Sequence, residues 1–155
     1  MTEWNWNGAR WWKFDFHAHT PESDDYGKGA QQAQLKQRTP EEWLLDYMRA
    51  KIDCVAITDH NNGAWIDRLK QAKTQIEAAK PDGYRCIHLF PGVEISVHGG
   101  IHLLAIFGTD KTTAHIDSLL GAVGYRGTKG ASDTVTQKSF TEVVAEIVKA
   151  NGIAI

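Results

Sequence analysis

The chain has 155 residues, of which 42% are hydrophobic and 23% charged, with a formal net charge of −2. This length suits one domain with an adequate core, so neither disulfides nor a metal is needed for size alone. The 17 basic residues are scattered rather than gathered on one face, which argues against broad electrostatic binding of nucleic acid. Cys54 and Cys86 match neither a disulfide framework nor a zinc knuckle, which favours a reduced, cytoplasmic setting.

The N-terminus has the composition of neither a signal peptide nor a membrane anchor. Residues 1–7 lack a basic region followed by an apolar one, and no run of about 18 apolar residues occurs in the chain. The sequence therefore predicts a cytoplasmic protein without a membrane partner.

The first predicted strand ends in two histidines. The segment 14–20 is apolar and aromatic and contains His17 and His19, one residue apart. Because side chains alternate along a strand, both imidazoles are expected on one face, able to share an ion without a bend in the backbone. The polar stretch from Pro21 to Arg38 is longer than an ordinary connection and predicts an active-site loop.

The following elements alternate between helix and strand. A capping box of Thr39 and Glu42, with Pro40 at the first position, predicts a helix start. The remaining elements up to residue 95 are a strand over 53–58, a helix over 64–80 and a strand over 87–95 that Pro91-Gly92 interrupts. This βαβαβ order predicts a largely parallel sheet.

The second half of the chain continues with a hairpin and two helices. The predicted elements are a turn at 97–100, a strand over 101–107, a helix over 113–123, a glycine-rich loop over 124–133 and a helix capped by Ser139. Ile153 to Ile155 looks like the start of another strand. An incomplete edge strand leaves backbone groups unpaired, so we expect the chain to be part of a longer protein.

Polar residues stand where buried strands end. His60 follows the second strand, at the edge where α/β folds gather their functional groups, and the adjacent Asp59 could orient a metal-bound imidazole. Glu94 is an acidic residue in an apolar run, which is costly without a partner. If the hairpin turn is centred near His98, antiparallel pairing sets Glu94 opposite His102.

These strand-end residues form one candidate metal-ligand set. It combines nitrogen and oxygen ligands without thiolate, which suits Zn, Mn or Fe. Its members are His17, His19, Asp24, His60, Glu94 and His102. The alternative, a satisfied polar group at a strand end, fits any one of them better than it fits all six together.

Three sequence blocks resemble the PHP (polymerase and histidinol phosphatase) domain family, which comprises metal-dependent phosphoesterases with a distorted seven-stranded β/α barrel. The blocks are residues 17–24, residues 58–61, and residues 91–96 with 102–104. The resemblance implies an α/β fold of distorted (β/α)7 barrel type, here incomplete with about four to five strands. Residues 1–155 would then be a single PHP-like domain, truncated at its C-terminal side.

The resemblance also implies a cluster of up to three divalent ions. His17, His19 and Glu94 would hold the first ion, and Glu94 would bridge to a second. His102 would complete the second ion's set, while Asp24 and His60 would hold the third. The family's later ligands are a histidine or cysteine on the fifth strand and an Asp-x-His pair near the end of the domain, and neither is found in the later part of this chain.

The implied reaction is hydrolysis of a phosphate ester by a metal-activated water, with no protein nucleophile. Asp59, His60 and Glu94 are the predicted catalytic residues. The substrate would be a nucleotide, a nucleic acid end or a small monoester. Three basic loop residues could contact its phosphate, although solvated loop charges are the favoured interpretation; they are Lys28, Lys36 and Arg38.

The stretch 7–13 is similar to large proteins in which a PHP domain precedes an AAA-type ATPase region, which implies such a region as a partner in the same protein. A non-catalytic structural or regulatory module is therefore one alternative function. Another is a metal-dependent amidohydrolase, although that class would be expected to carry a carboxylated lysine or a strand-end Asp, and Glu94 argues against it.

Overall fold

A computed structural model describes Ala9 and residues 11–155 as a mixed α/β domain. One five-stranded sheet has its strands in chain order and curls as half of a barrel. The strands are β1 (Phe14–Ala18), β2 (Cys54–Ile57), β3 (His88–Val97), β4 (Ile101–Ile106) and β5 (Ile153–Ala154). The helices are α1 (Gln32–Leu35), α2 (Pro40–Arg49), α3 (Trp65–Ala79), α4 (Thr113–Ala122) and α5 (Phe140–Lys149). The expected α/β class is confirmed.

The sheet is parallel through β1, β2 and β3, whereas β4 runs antiparallel to β3 and β5 runs antiparallel to β4. The carboxyl ends of the first three strands therefore meet at one edge. Each of the four longer helices contributes a fully buried side chain to one core cluster, namely Leu44, Ile66, Ile116 and Ile147. No helix in the described part of the chain combines the length and apolarity needed to cross a bilayer.

The predicted capping boxes form, and they explain where α2 and α5 begin. The Thr39 hydroxyl accepts the amide of Glu42 at 3.2 Å, and the Glu42 carboxylate accepts the Thr39 amide at 2.9 Å. Likewise the Ser139 amide and hydroxyl both donate to the Glu142 carboxylate, at 2.9 and 2.6 Å. Backbone amides at each helix start are thus satisfied locally, two at α2 and that of Ser139 at α5.

Pro91 and Gly92 do not interrupt the third strand, contrary to prediction. Pro91 pairs with Ile57 in the parallel ladder, and its carbonyl accepts the Phe107 amide at 2.8 Å. A Cβ at Gly92 would lie only 2.7 Å from the carbonyl oxygen of Ala105. The missing side chain therefore lets β3 pack closely between its neighbours. The short helix α1, inside the long loop, was not predicted either.

The hairpin register also differs from the prediction, because the partner of Glu94 is shifted by two residues along β4. Ser96 pairs with His102 and Glu94 with Leu104, so the turn is centred at Gly99 rather than His98. Gly99 and the next residue both have positive φ, +87° and +72°, a conformation that glycine adopts without strain. Glu94 and His102 are diagonal neighbours on one face, still within reach of each other.

A bulge in β1 reverses the direction of the first histidine. Asp15 pairs with Val55 but Ala18 pairs with Ile57, so β1 has one extra residue between these pairs. Asp15 accepts a hydrogen bond from Tyr47 of α2 at 3.3 Å, and in a regular strand His17 would share that face. The bulge re-aims His17, and its Nε2 then lies 2.9 Å from His19 Nε2, so the two imidazoles lie on one side as expected.

We predict that Gly92→Ala lowers the free energy of unfolding by about 1–3 kcal/mol, because the added methyl group overpacks backbone atoms of two neighbouring strands. Gly121→Ala is the matched control: no atom lies within 4 Å of its added Cβ in α4, so stability should stay equal or rise by up to about 1 kcal/mol. Urea unfolding measures both. Equal effects of the two substitutions would contradict the close packing of β3.

Candidate metal centre

A single carboxylate lies at the centre of the predicted ligand set. The Glu94 side chain is buried, 4% exposed, where β3 passes between its parallel and antiparallel neighbours. Four imidazoles surround it. The distances from its carboxylate oxygens are 2.7 Å to His17 Nε2, 3.0 Å to His19 Nε2, 2.9 Å to His102 Nδ1 and 3.4 Å to His60 Nδ1.

The surrounding imidazoles keep Glu94 ionised. Burial by itself raises the pKa of this carboxyl, but hydrogen bonds from His19 and His17, together with the charge of His60, outweigh it and lower the pKa to about 2. For His19, burial opposes the charged form, yet the hydrogen bond and charge of Glu94 raise its pKa overall. The site therefore favours positive charge next to this carboxylate.

The ligand atoms fall into three overlapping groups, each within 4.8 Å. The groups are His17, His19 and Glu94; His19, Asp25 and His60; and His60, Glu94 and His102. Five of the six predicted ligands thus come together. His19, His60 and Glu94 each belong to two of the groups. Neighbouring ions that share ligands require such an overlap.

Asp25, not the predicted Asp24, belongs to the second group. Its carboxylate oxygens lie 3.2 Å from His60 Nε2 and 3.5 Å from His19 Nδ1. The backbone of Asp24 is instead engaged, because its amide donates to the carbonyl of Gly130 at 2.9 Å and its carbonyl accepts Gln32 Nε2 at 2.8 Å. The two aspartates are adjacent in the sequence, and no local pattern indicates which of them is the ligand.

Asp59 holds the turn at residues 20–23 in place, whereas the sequence suggested that it orients a metal-bound imidazole. Its buried carboxylate accepts the amide and the hydroxyl of Thr20, both at 2.6 Å, and the hydroxyl of Ser23 at 2.8 Å. The Ser23 oxygen in turn accepts the backbone amide of His60 at 3.0 Å. Burial raises the pKa of Asp59 and these hydrogen bonds oppose that rise. Asp59 thus ties together the two loops that carry His60 and Asp25.

Two buried ring nitrogens indicate that the residues fit a metal ion. Within the described residues, His19 Nδ1 and His60 Nδ1 have no hydrogen-bond partner, although each lies 3.4–3.5 Å from a carboxylate oxygen. Buried polar atoms without a partner are rare. Divalent cations bound in these groups would satisfy the two nitrogens, and mixed imidazole and carboxylate ligands suit Zn, Mn or Fe.

The three basic loop residues have different surroundings. Lys36 Nζ donates to the backbone carbonyls of Pro21 and Ser23, at 3.1 and 2.6 Å, and Arg38 pairs with Asp46. Of these three residues, only Lys28 lines a cavity of about 300 Å³ that also borders Asp24 and Asp25. Both aspartates lie in the segment 19–31 between β1 and α1, which we call the ligand loop. Lys36 and Arg38, for which phosphate contact was the less favoured interpretation, are therefore engaged within the protein.

No protein-family model matches the chain, and no curated protein matches it. The solved structures that are similar include two hydrolases. An amidohydrolase from Chromobacterium violaceum, with bound sulfate and no metal, is 18% identical with a TM-score of 0.52, over 92% of this chain and 65% of that one. A candidate metal-dependent phosphoesterase from Bifidobacterium adolescentis is 26% identical with a TM-score of 0.46, over 71% and 32%.

The chain therefore spans just under two thirds of the first protein and about a third of the second. At 18% identity the likeness to the Chromobacterium protein concerns the fold alone. It agrees with a mixed α/β sheet that forms part of a barrel.

We predict that Asp25→Asn weakens binding of Mn²⁺ or Zn²⁺ by more than about 10-fold, since it removes a charged ligand rather than an outer partner. Asp24→Asn is the matched control and should leave the affinity within a factor of about two. Isothermal titration of the metal-free protein measures both constants. A larger loss for Asp24→Asn than for Asp25→Asn would restore the ligand that the sequence suggested.

Proposed function

We propose that the protein is a hydrolase of the PHP type, cleaving phosphate esters with the help of divalent metal ions. The observation that carries this proposal is the buried carboxylate of Glu94 among four imidazoles at the carboxyl edge of a parallel sheet. Such a site concentrates negative charge and neutral donors where a cation fits, and α/β folds bind their substrates at this edge.

Three groups of residues would each hold one metal ion. One ion would be held by His17, His19 and Glu94, and one by His60, Glu94 and His102. The third would be held by His19, Asp25 and His60, with Asp25 in place of Asp24. When bound, divalent ions lower the pKa of a water molecule and stabilise charge on phosphate oxygens.

Residues around the groups orient the site and the substrate. Asp59 acts as a positioning residue, because its carboxylate bonds to Thr20 and Ser23 rather than to a ligand. Lys28 is the basic loop residue that borders the cavity beside Asp25, so its ammonium group is available to a phosphate oxygen. Substrate phosphate would then lie between Lys28 and the ligand groups.

The broader assignments rest on the family resemblance. We propose a nucleotide, a nucleic acid end or a small monoester as substrate, and a following ATPase region as partner. In the stretch 7–13 that suggested the ATPase, residues 7, 8 and 10 lie outside the described residues. A structural or regulatory module, whose metal only stabilises the fold, and an amidohydrolase are the competing functions. A cytoplasmic location is part of the same proposal.

We predict that the full protein hydrolyses bis-p-nitrophenyl phosphate with Mn²⁺ or Zn²⁺, and that a chelator abolishes this activity. Glu94→Gln should lower kcat/KM by more than about 100-fold, beyond the range typical of outer metal partners. Glu77→Gln, in a half-exposed ion pair with Lys73 on α3, is the matched control and should retain activity.

The competing functions give different results in the same assay. Metal binding with hydrolysis of p-nitroacetanilide but not of the ester would assign the protein to the amidohydrolases. Metal binding that raises the melting temperature without any hydrolysis would favour the structural module. Full ester hydrolysis by Glu94→Gln would overturn the proposed site.

A further inference from the structure

Asn61 follows the ligand His60 and has no part in the proposed reaction. It is fully buried, and its backbone has a φ of +47°. An L-residue in this left-handed region is uncommon, and asparagine tolerates it better than most residues. Both its conformation and its burial need an explanation in terms of what the side chain does.

The side chain of Asn61 joins three segments of the chain. Its Oδ1 accepts the Ser96 amide at 3.1 Å, while its Nδ2 donates to Ser96 Oγ at 3.1 Å and to the carbonyl of Ala131 at 2.9 Å. Its backbone amide donates to the carbonyl of Glu94 at 2.8 Å. The end of β2, the end of β3 and the loop after α4 thus meet at one amide group.

The first two connections fix the spacing between metal ligands. The parallel ladder of β2 and β3 ends at Ile57, and beyond it only an isolated bridge joins His60 to Glu94. Asn61 bonds to β3 directly after that bridge. Ser96 pairs with His102 in the β3–β4 hairpin. The hydrogen bonds from Asn61 to Ser96 therefore also hold the strand pair that carries the ligand His102.

The third connection holds residues 128–136, which we call the wall loop. The Gly130 amide donates to the carbonyl of His60 and the Thr136 amide to that of Ser96, both at 2.9 Å. A Cβ at Gly130 would lie 2.2 Å from the carbonyl oxygen of Glu22, so the loop packs directly on the ligand loop. Residues 131–133 then line the cavity beside Asp25.

We propose that Asn61 is a positioning residue, which sets the separation of His60 and Glu94 and holds the wall loop as one side of the substrate cavity. Its catalytic consequence rests on the proposed function. Its structural part concerns only hydrogen bonds between described residues, so metal affinity and amide exchange test it without any substrate.

Three substitutions separate the side chain from the backbone conformation. Asn61→Gly removes every side-chain hydrogen bond, while glycine adopts the left-handed conformation without strain. Asn61→Ala removes the same hydrogen bonds and also strains the backbone. Asn61→Asp keeps an acceptor for the Ser96 amide but sets a carboxylate oxygen against the Ala131 carbonyl. The matched control is Asn151→Ala, at another left-handed asparagine with φ +59° that follows α5 and is exposed.

In hydrogen exchange of the metal-free protein, we expect Asn61→Gly to speed exchange of the Gly130 and Thr136 amides by about tenfold, as the loss of hydrogen bonds requires. Affinity for Mn²⁺ should fall by about 10–100-fold, the usual effect of losing an outer partner. Asn61→Asp should release Gly130 while it affects the metal affinity less. Asn151→Ala should change neither quantity.

Wild-type exchange and metal affinity in Asn61→Gly would overturn the proposal, since the asparagine would then serve only its backbone conformation. Failure of Asn61→Ala to fold leaves Asn61→Gly and Asn61→Asp to decide. A wild-type protein that binds metal but hydrolyses no phosphate ester would refute the proposed function. The positioning role would still be decided by the exchange rates and the metal affinities.

Discussion

The site depends on one buried charge, the Glu94 carboxylate. A carboxylate removed from water is strongly destabilising unless positive charge and hydrogen bonds surround it. Four imidazoles from three other strand ends supply these partners. Its position on β3, the strand that joins the parallel and antiparallel parts of the sheet, allows ligands to approach from both sides.

Several of the ligands are positioned by local departures from regular structure. A bulge in β1 turns His17 toward it, and two left-handed glycines set the register that brings His102 into diagonal reach. Asp59 holds the turn that carries Asp25, and a left-handed asparagine follows His60. Bulges and strained backbone are concentrated at functional sites for this reason. The helices and the core supply the rigid support.

The sequence predicted the elements well because their signals are local. Capping boxes, apolar periodicity and glycine-containing turns identified α2 to α5 and the five strands, and the placement of polar residues at strand ends identified five ligands. The bulge could not be predicted, because residues 14–17 alternate between apolar and polar side chains as a regular strand does. Glycines at both 99 and 100 permit more than one turn centre. The hairpin register was therefore not determined by the local sequence.

The choice between Asp24 and Asp25 shows a different limit. It depends on hydrogen bonds from the ligand loop to Asp59, to Gly130 and to the backbone of His60, all distant in sequence. Local patterns carry no information about such contacts. The same holds for Asn61, whose importance comes from Ser96 and Ala131 rather than from its neighbours in the chain.

We propose that the Glu94 cluster holds divalent metal ions, and anomalous X-ray diffraction from crystals grown with Mn²⁺ or Zn²⁺ would locate such ions. We expect an anomalous peak about 2.0–2.2 Å from the imidazole nitrogens of His17 and His19 and from a Glu94 oxygen. Ions bound elsewhere, with these three side chains still hydrogen-bonded to one another, would contradict it.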